Sequence, residues 1–366
     1  MFYYRIRTLT DSGSELTELS EISLSREDEM KALEIHERSI VVLTHIDTVI
    51  FWAPRPNVVP FYFDLVPWPE EMRLGKRTGF GHVDLPRLLE GDVNCPVFAL
   101  AVTPNYMPER SLMRSMELLD AFYRELQENK ERVVLATTTD EVVKAKKDGR
   151  VSAMLAIEGG EAIEGNLAAL RMLHRLGVRL FGLTHNYRNK IADGMGEART
   201  GSGLTEFGVK LIGELNRLGI IVDVSHLSDP GFWDVVEVSK DPIIASHSNA
   251  RGLCDHLRNL TDDQAKAVAE GGGVVGVNFY PEVVHEEEAT LGRVLDHFDY
   301  LVDLVGADHV GIGSDYDGMR QPPVGLEDVS KMPNITRGLV SRGYSEDEIV
   351  KILGGNFLRV FREVID

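Results

Sequence analysis

Eight short apolar runs, each four to seven residues long, alternate along the chain with segments of helical periodicity. This alternation is typical of a parallel sheet whose strands are joined by helical crossovers. Eight such strands predict a (β/α)8 TIM-type barrel, and a doubly wound open sheet is the alternative that the same pattern allows. The runs lie at 39–43, 96–102, 151–157, 178–183, 220–224, 242–245, 274–279 and 310–313.

The segments between the runs contain clear helical signals. Apolar residues at Val294, Phe298, Leu301 and Val305 form one stripe of a helix over 294–305. Further helices are predicted over 111–129, 163–175, 206–218 and 262–270.

The chain divides unevenly. Residues 1–28 have an aromatic and basic start and then a stretch rich in Ser, Glu and Thr, which predicts an N-terminal extension in the form of a short hairpin or a loose arm. We expect one barrel domain at 29–366, because no linker or internal repeat interrupts it. Residues 52–82, rich in Pro, Gly and aromatic residues, predict a long loop after the first strand.

Charge and cysteine content exclude several classes of function. The 58 acidic and 39 basic residues give a net charge of −19, which disfavours binding to nucleic acid or to an anionic membrane. No secretory signal and no apolar segment of about 18 residues is visible. The only two cysteines, Cys95 and Cys254, are far apart in the sequence, which is typical of a reducing compartment. We therefore expect a cytoplasmic protein.

Polar residues follow six of the eight runs. In a barrel of this kind the C-terminal ends of the strands share one mouth, so these side chains are predicted to meet there. They are His45 and Asp47, Glu158, His185, His226, His247, and Asp315 and Asp317.

The residue types at these strand ends favour a metal site. His45 and Asp47 point the same way under strand alternation, so a single cation can bind both. His226 and His247 supply a second half-site, and Glu158 can bridge two cations. A lone histidine at a strand end is usually structural. Residues of metal-binding types at the ends of five separate strands are not expected by chance. Nitrogen and oxygen ligands without thiolates favour zinc or a similar divalent ion.

The His-x-Asp pattern occurs twice more, and neither copy is predicted to bind a metal. His82 and Asp84 precede a helix-like stretch, so a capping or loop role is expected. His297 and Asp299 lie in the predicted helix over 294–305, where residues two apart point in different directions, and we expect this pair to face solvent.

Several longer segments together resemble the renal (membrane) dipeptidase family, the binuclear zinc peptidases of the amidohydrolase superfamily. The similarity extends from about residue 30 through Gly-Gly-Asn-Phe at 354–357. The segments that carry it are AIEGG at 156–160, LTHN at 183–186, DVSH at 223–226, ASHSNAR at 245–251, GVNFY at 276–280 and GIGSDYDG at 311–318.

The resemblance implies a zinc-dependent dipeptidase with two Zn²⁺ ions per chain. His45 and Asp47 would bind one ion, His226 and His247 the other, and Glu158 would bridge them. A hydroxide bridging the two ions would attack the peptide bond of a dipeptide, including dipeptides with a C-terminal D-residue. The family also allows a homodimer.

The resemblance implies further roles for four residues. His185 would contact the carbonyl oxygen of the scissile bond, and Asp315 would act as the acid and base. Arg258 and Tyr280 would hold the terminal carboxylate of the substrate. Asp317 has no implied catalytic role, and we expect it to be structural or to support its neighbours.

The first motif departs from the family pattern. The family usually has Asp-Gly before the first histidine and Asn between the two ligands, whereas this chain has Leu43-Thr44 and Ile46. These altered residues can give the pocket a different shape. A metal-dependent amidohydrolase acting on N-acyl amino acids or lactams is therefore an alternative to the dipeptidase. A noncatalytic metal-binding scaffold is the alternative of another class, against which the acid/base residue Asp315 argues.

Overall fold

The computed structural model describes residues 17–19, 22–53, 72–102 and 106–366. Most of the loop predicted at 52–82 and most of the predicted extension therefore lie outside the described residues. The strands are β1 Thr17–Leu19, β2 Ile22–Leu24, β3 Val41–Ile46, β4 Val93–Ala101, β5 Val133–Leu135, β6 Val151–Glu158, β7 Val178–Gly182, β8 Ile221–Asp223, β9 Ile243–Ala245, β10 Val274–Asn278 and β11 Val310–Tyr316.

The helices surround these strands, and the last of them closes the end of the barrel opposite the C-terminal ends of the strands. They are α1 Arg26–Arg38, α2 Val49–Trp52, α3 Leu85–Glu90, α4 Ser111–Glu128, α5 Thr139–Lys147, α6 Leu167–Arg175, α7 Glu206–Leu218, α8 Asp229–Val238, α9 Asp262–Glu270, α10 Pro281–Val284, α11 Leu291–Val305, α12 Pro333–Ser341, α13 Glu346–Val350 and α14 Asn356–Ile365. Among the described residues, none of the helices combines the length and hydropathy needed to cross a bilayer.

Eight parallel strands close into a barrel. Their order is β3, β4, β6, β7, β8, β9, β10 and β11, and β11 pairs again with β3. The strand β5 lies outside this ring, because it pairs with the first half of β6 while β4 pairs with the second half. Each of the eight apolar runs forms one barrel strand, which confirms the (β/α)8 prediction, and the open-sheet alternative is wrong.

Strand alternation gives the barrel two separate apolar cores. One face of each strand points into the barrel and packs with α14, where Phe357 and Phe361 are fully buried. Gly311 of β11 is required here, because a Cβ would lie 2.5 Å from the ring of Phe357. The other face packs against the surrounding helices. The inward-facing residues include Val42, Cys95, Val97, Met154, Leu180, Ile221, Ile244 and Val274.

The predicted helices are found close to their predicted bounds. The helices at 206–218 and 262–270 are α7 and α9, and the helix at 294–305 begins three residues earlier, where the side chain of Thr290 caps α11. The helix predicted at 163–175 begins late, at Leu167. Residues 160–163 form a 3₁₀ turn, and Glu164 then adopts a left-handed backbone with φ of 48°, so the chain restarts with Asn166 as the N-cap.

The N-terminal region includes an antiparallel hairpin of β1 and β2. Ile22 and Leu24 are buried in the outer core, and α1 follows directly, capped by Ser25. The short-hairpin alternative therefore holds for the described part of this region, although α1 begins at Arg26, before the predicted boundary at residue 28.

Candidate active site

The predicted site residues meet at the C-terminal mouth of the barrel. His45 and Asp47 lie at the end of β3, and Glu158 is the last residue of β6. His185, His226 and His247 follow β7, β8 and β9, and Asp315 lies near the end of β11. Six strands therefore position seven side chains at one place, and all except the half-buried His185 and His226 are buried.

One carboxylate oxygen lies at the centre of the cluster. Oε1 of Glu158 is 3.1 Å from Nε2 of His226, 3.5 Å from Nε2 of His45 and 3.6 Å from Nε2 of His247. Nε2 of His45 is also 3.4 Å from Oδ2 of Asp47. The rings of His45 and His247 stack with centroids 3.8 Å apart. A single oxygen atom thus connects the two predicted half-sites.

The donor set fits divalent cations. The residues form three groups of possible ligands, and within each group the ligand atoms lie within 4.8 Å of one another. Glu158 belongs to two of these groups. Nε2 of His45 and Oδ1 of Asp47 are buried without a hydrogen-bond partner. Nε2 of His226 and Nε2 of His247 face each other at 3.0 Å, a contact that one proton at most can bridge. These converging ligand atoms could hold a cation, and nitrogen and carboxylate oxygen atoms suit a borderline divalent ion. The groups of ligands are His45, Glu158 and His247; Glu158, His185 and His226; and His45, Asp47 and Asp315.

Burial and crowding shift the pKa values in the cluster. Burial, with the charge of Glu158, raises the pKa of Asp47 to about 8. Burial disfavours a charged His45 ring, but Glu158 and Asp47 outweigh it and raise the pKa of His45 well above the usual value. Burial, assisted by the charge of Arg258, lowers the pKa of His226 well below the usual value. The lowered pKa of His226 favours a neutral ring that can bind a cation, whereas at His45 a cation would have to displace a proton.

Asp315 is held beside the cluster by an amide. Its Oδ2 accepts a hydrogen bond of 2.9 Å from Nδ2 of Asn278, which also donates to the carbonyl oxygen of His247. Burial, the largest influence, raises the pKa of Asp315 to about 6. A carboxylate with a pKa close to neutrality can both accept and donate a proton.

The end of β11 is backbone-strained. Ser314, Asp315 and Asp317 have φ of 76°, 79° and 68°, and each non-glycine residue in this region costs on the order of 1–3 kcal/mol. Side chains hold the segment in place: Ser314 donates to the carbonyl oxygen of His45 at 2.6 Å, and Asp317 accepts from the hydroxyl of Thr48 and from the backbone N–H of His82. Asp317 therefore supports its neighbours, as expected.

A cavity of about 360 Å³ opens beside the cluster, and Arg258 and Tyr280 line it. The guanidinium of Arg258 is buried and donates to the carbonyl oxygen of His247 at 3.0 Å and to Oγ of Ser248 at 3.4 Å. No ion pair joins Arg258 to a carboxylate in the described part of the chain. A buried cation at the wall of a cavity is available to a negatively charged ligand.

The unusual residues around His45 have a clear structural role. The hydroxyl of Thr44 crosses the barrel and donates to the carbonyl oxygen of Ser246 at 2.6 Å. Ile46 is fully buried in the outer core. Thr44 therefore connects the strand of His45 with the segment that precedes His247.

Among the described residues, neither of the other two His-x-Asp pairs belongs to a group of possible metal ligands, and one prediction about them is wrong. Asp84 caps α3 by accepting from the N–H of Arg87, as expected. His297 was expected to face solvent but is buried, because its Nε2 contacts the carbonyl oxygen of Val284 and its Nδ1 accepts from the N–H of Ala250. It links α11 to two neighbouring loops, a contact that helical periodicity does not show.

Four polar residues of the site were not predicted. Asn278 ends β10, one of the two barrel strands whose ends were not given a site residue, and Asn186 binds Nδ1 of His226 through its Oδ1 at 2.8 Å. Asp223 lies three residues before His226 and Ser246 directly before His247, and the two contact the ring of His247 through a hydrogen-bond chain. A polar residue inside an apolar run was the available signal for Asp223.

Fold and site together define a (β/α)8 barrel protein whose mouth carries histidine and carboxylate groups that could hold divalent cations. Residues 29–366 match the sequence model of the family described as Membrane dipeptidase (Peptidase family M19), and the chain belongs to this family. Membership makes the chain a hydrolase of the dipeptidase class, so the noncatalytic-scaffold alternative is wrong.

Individual relatives agree with this assignment. Dipeptidase aclJ of Aspergillus oryzae is 38% identical over 298 residues, which are 78% of this chain and 70% of the relative. A metallo peptidase from Rhodobacter sphaeroides, solved with a phosphinate mimic of the dipeptide L-Ala-D-Ala, is 31% identical with a TM-score of 0.79, covering 89% of this chain and 99% of its own. The probable dipeptidase PvdM from Pseudomonas aeruginosa is 25% identical with a TM-score of 0.80, covering 93% and 98%.

Proposed function

We propose that this chain hydrolyses the peptide bond of dipeptides with two Zn²⁺ ions bound at the barrel mouth. The observation that carries the proposal is the position of Oε1 of Glu158 within 3.6 Å of three histidine nitrogens, beside a cavity lined by a buried arginine. Metal-dependent hydrolysis of dipeptides follows from the family, and the ion, its number and the residue roles are the proposed part.

Five residues would hold the metal. His45 and Asp47 would bind one ion, His226 and His247 the other, and Glu158 would contact both. When bound, two such cations lower the pKa of water from 15.7 toward about 7 and polarise a carbonyl oxygen. The orphaned Nε2 of His45 and Oδ1 of Asp47 support this assignment.

Asp315 would carry the proton of the reaction. Its Oδ2 is engaged by Asn278, so Oδ1 is available to take a proton from the attacking water and to give it to the leaving amine. The position of Asp315 beside His45 and Asp47 supports this role.

His185 would bind the carbonyl oxygen of the scissile bond. Burial lowers the pKa of His185, so the ring is neutral near pH 7 and can donate one hydrogen bond. Such a donor stabilises the negative charge that develops on the oxygen, and the loss of one typically costs about 10²–10³ in kcat.

Arg258 and Tyr280 would select short substrates. A guanidinium that binds the terminal carboxylate limits the substrate to one residue after the scissile bond. The Rhodobacter sphaeroides structure with its L-Ala-D-Ala mimic supports acceptance of a C-terminal D-residue here as well.

Elemental analysis and a substrate panel on one sample test the proposal. We expect about two Zn²⁺ ions per chain and turnover of L-Xaa-L-Xaa and L-Xaa-D-Xaa dipeptides. The Asp315→Asn variant should keep its metal and lose about 10²–10⁴ in kcat. Turnover of N-acyl amino acids or lactams in preference to dipeptides would establish the alternative substrate class. Normal turnover by Asp315→Asn at normal metal content would refute the proton-transfer role.

We also propose a cytoplasmic location and a homodimer. Cys95 and Cys254 are both buried and unpaired, which supports a reducing compartment. The homodimer rests on the resemblance to the family. Sedimentation of the purified chain tests it, and a single species of 40.8 kDa would contradict it.

A further inference from the structure

A buried chain of hydrogen bonds runs from Asp223 through Ser246 to the ring of His247. Oδ1 of Asp223 accepts from the backbone N–H groups of Ser225 and Ser246, at 3.0 and 2.9 Å. Oδ2 of Asp223 contacts the hydroxyl of Ser246, and the same hydroxyl lies 2.7 Å from Nδ1 of His247. All four residues are almost completely buried, so water does not compete for these contacts.

The number of available protons sets the direction of this chain. Two N–H groups occupy Oδ1 of Asp223, and an ionised carboxylate can only accept. The single hydroxyl proton of Ser246 then points to Oδ2. Oγ of Ser246 has only lone pairs left for His247, so the proton of that contact comes from Nδ1.

We infer that Asp223 and Ser246 are positioning residues that fix His247 in the tautomer with its proton on Nδ1 and its lone pair on Nε2. This inference rests on the proposed function only in treating His247 as a metal ligand. Nε2 is the atom that faces Nε2 of His226 and Oε1 of Glu158. The ring is therefore prepared for a cation before one arrives, without a proton to displace from the ligating atom.

Further contacts prevent Ser246 from moving away from this arrangement. Its carbonyl oxygen accepts from the hydroxyl of Thr44 across the barrel, and the N–H of His247 donates to Oγ of Ser225 at 3.1 Å. The ring of His247 also stacks on that of His45. If the hydroxyl of Ser246 turned instead to Oγ of Ser225, 3.3 Å away, Oδ2 of Asp223 would lose its donor in a dry interior, where unpaired polar groups are costly.

The tautomer can be measured directly. The full chain, labelled with ¹⁵N-histidine and freed of metal by a chelator, should show His247 protonated on Nδ1, with the resonance assigned by its loss in His247→Gln. A proton on Nε2, or an even mixture of the two tautomers, would overturn the inference. This measurement needs no variant of Asp223 to fold and no turnover of any substrate.

The Asp223→Asn variant tests the direction of the hydrogen bonds. The amide group of asparagine would donate to Oγ of Ser246, the serine proton would turn to Nδ1 of His247, and the ring proton would move to Nε2. We expect zinc affinity to fall about 10–100-fold in a chelator competition. Ser246→Ala leaves the ring free to adopt either tautomer, so its loss of affinity should be smaller.

Asp328→Asn is the matched control, because Asp328 also accepts from the N–H and hydroxyl of a serine, Ser330, but no histidine follows. Its zinc affinity should stay within about twofold of the unchanged chain. Equal affinity of Asp223→Asn and the unchanged chain, with both folded, would refute the inference. A chain that binds zinc as expected but cleaves no dipeptide would refute the proposed function and leave this inference standing.

Discussion

At the scale of single residues, sequence reasoning was strongest where a side chain's chemistry can be read from its position after a strand. His45, Glu158 and His247 were predicted to meet, and they lie within 4.8 Å of one another. Asn278 and Ser246 were missed, because their importance comes from partners that lie 37 and 23 residues away in the chain, Asp315 and Asp223. Local patterns contain no information about such contacts.

Arg258 provides a prediction at this scale. Replacing it by alanine should lower kcat/KM for a dipeptide about 10–150-fold, because a hydrogen bond to a charged group is worth about 1.5–3 kcal/mol. The measurement compares L-Ala-L-Ala with its C-terminal amide, which lacks the carboxylate. The unchanged chain should prefer the acid, and Arg258→Ala should lose that preference. A fall of less than about threefold, or a retained preference, would show that Arg258 does not bind the carboxylate.

At the scale of elements, the periodicity predicted the barrel strands and most helix bounds, whereas departures from regular structure were not predictable. The left-handed residues at the end of β11 are held by the hydroxyl of Thr48 and the backbone N–H of His82, which lie more than 200 positions earlier. His297 was misjudged for the same kind of reason. The periodic stripe of α11 shows which face meets the barrel but not which loops cover its flank.

Two glycine substitutions distinguish the irregular segment at the site from a regular helix. A Cβ at Gly318 would lie 2.4 Å from both Oδ1 of Asp315 and Oδ2 of Asp47, so Gly318→Ala should displace the two carboxylates and lower kcat/KM on the order of 100-fold. Gly213 lies inside α7 with no atom within 4 Å of a Cβ. Gly213→Ala should keep its activity and raise the free energy of unfolding by about 0.5–1 kcal/mol. Urea denaturation and steady-state kinetics on both variants decide, and full activity of Gly318→Ala would contradict the site geometry.

At the scale of the whole molecule, the barrel has two ends with different roles. The carboxyl ends of the strands carry the polar cluster, and the opposite end is filled by the aromatic side chains of α14. Eight apolar runs were enough to predict the ring. They could not predict that α14 fills the lower end as a plug, because the fit of its aromatic side chains depends on the space left by residues such as Gly311.

Phe361 tests the independence of the two ends. Phe361→Ala should lower the free energy of unfolding by about 3–5 kcal/mol, because the removed ring leaves a cavity in a fully buried core. Its kcat/KM at 25 °C should stay within about twofold of the unchanged chain. Urea denaturation of the metal-free protein measures the first effect, and Leu89→Ala, at a residue that is 37% exposed, is the control. A parallel loss of kcat/KM would show that the plug and the site are coupled.

The strained end of β11 has a consequence for how such a chain can diversify. The seven residues of β11 span about 23 Å, and only the last of them lie at the mouth beside the polar cluster. Loops around the mouth can therefore lengthen, shorten or change composition while the lower strand and its plug continue to provide the rigidity that the bent segment requires. Insertions in the loops at the mouth can therefore change the range of substrates, while the opposite end of the barrel, filled by α14, stays unchanged.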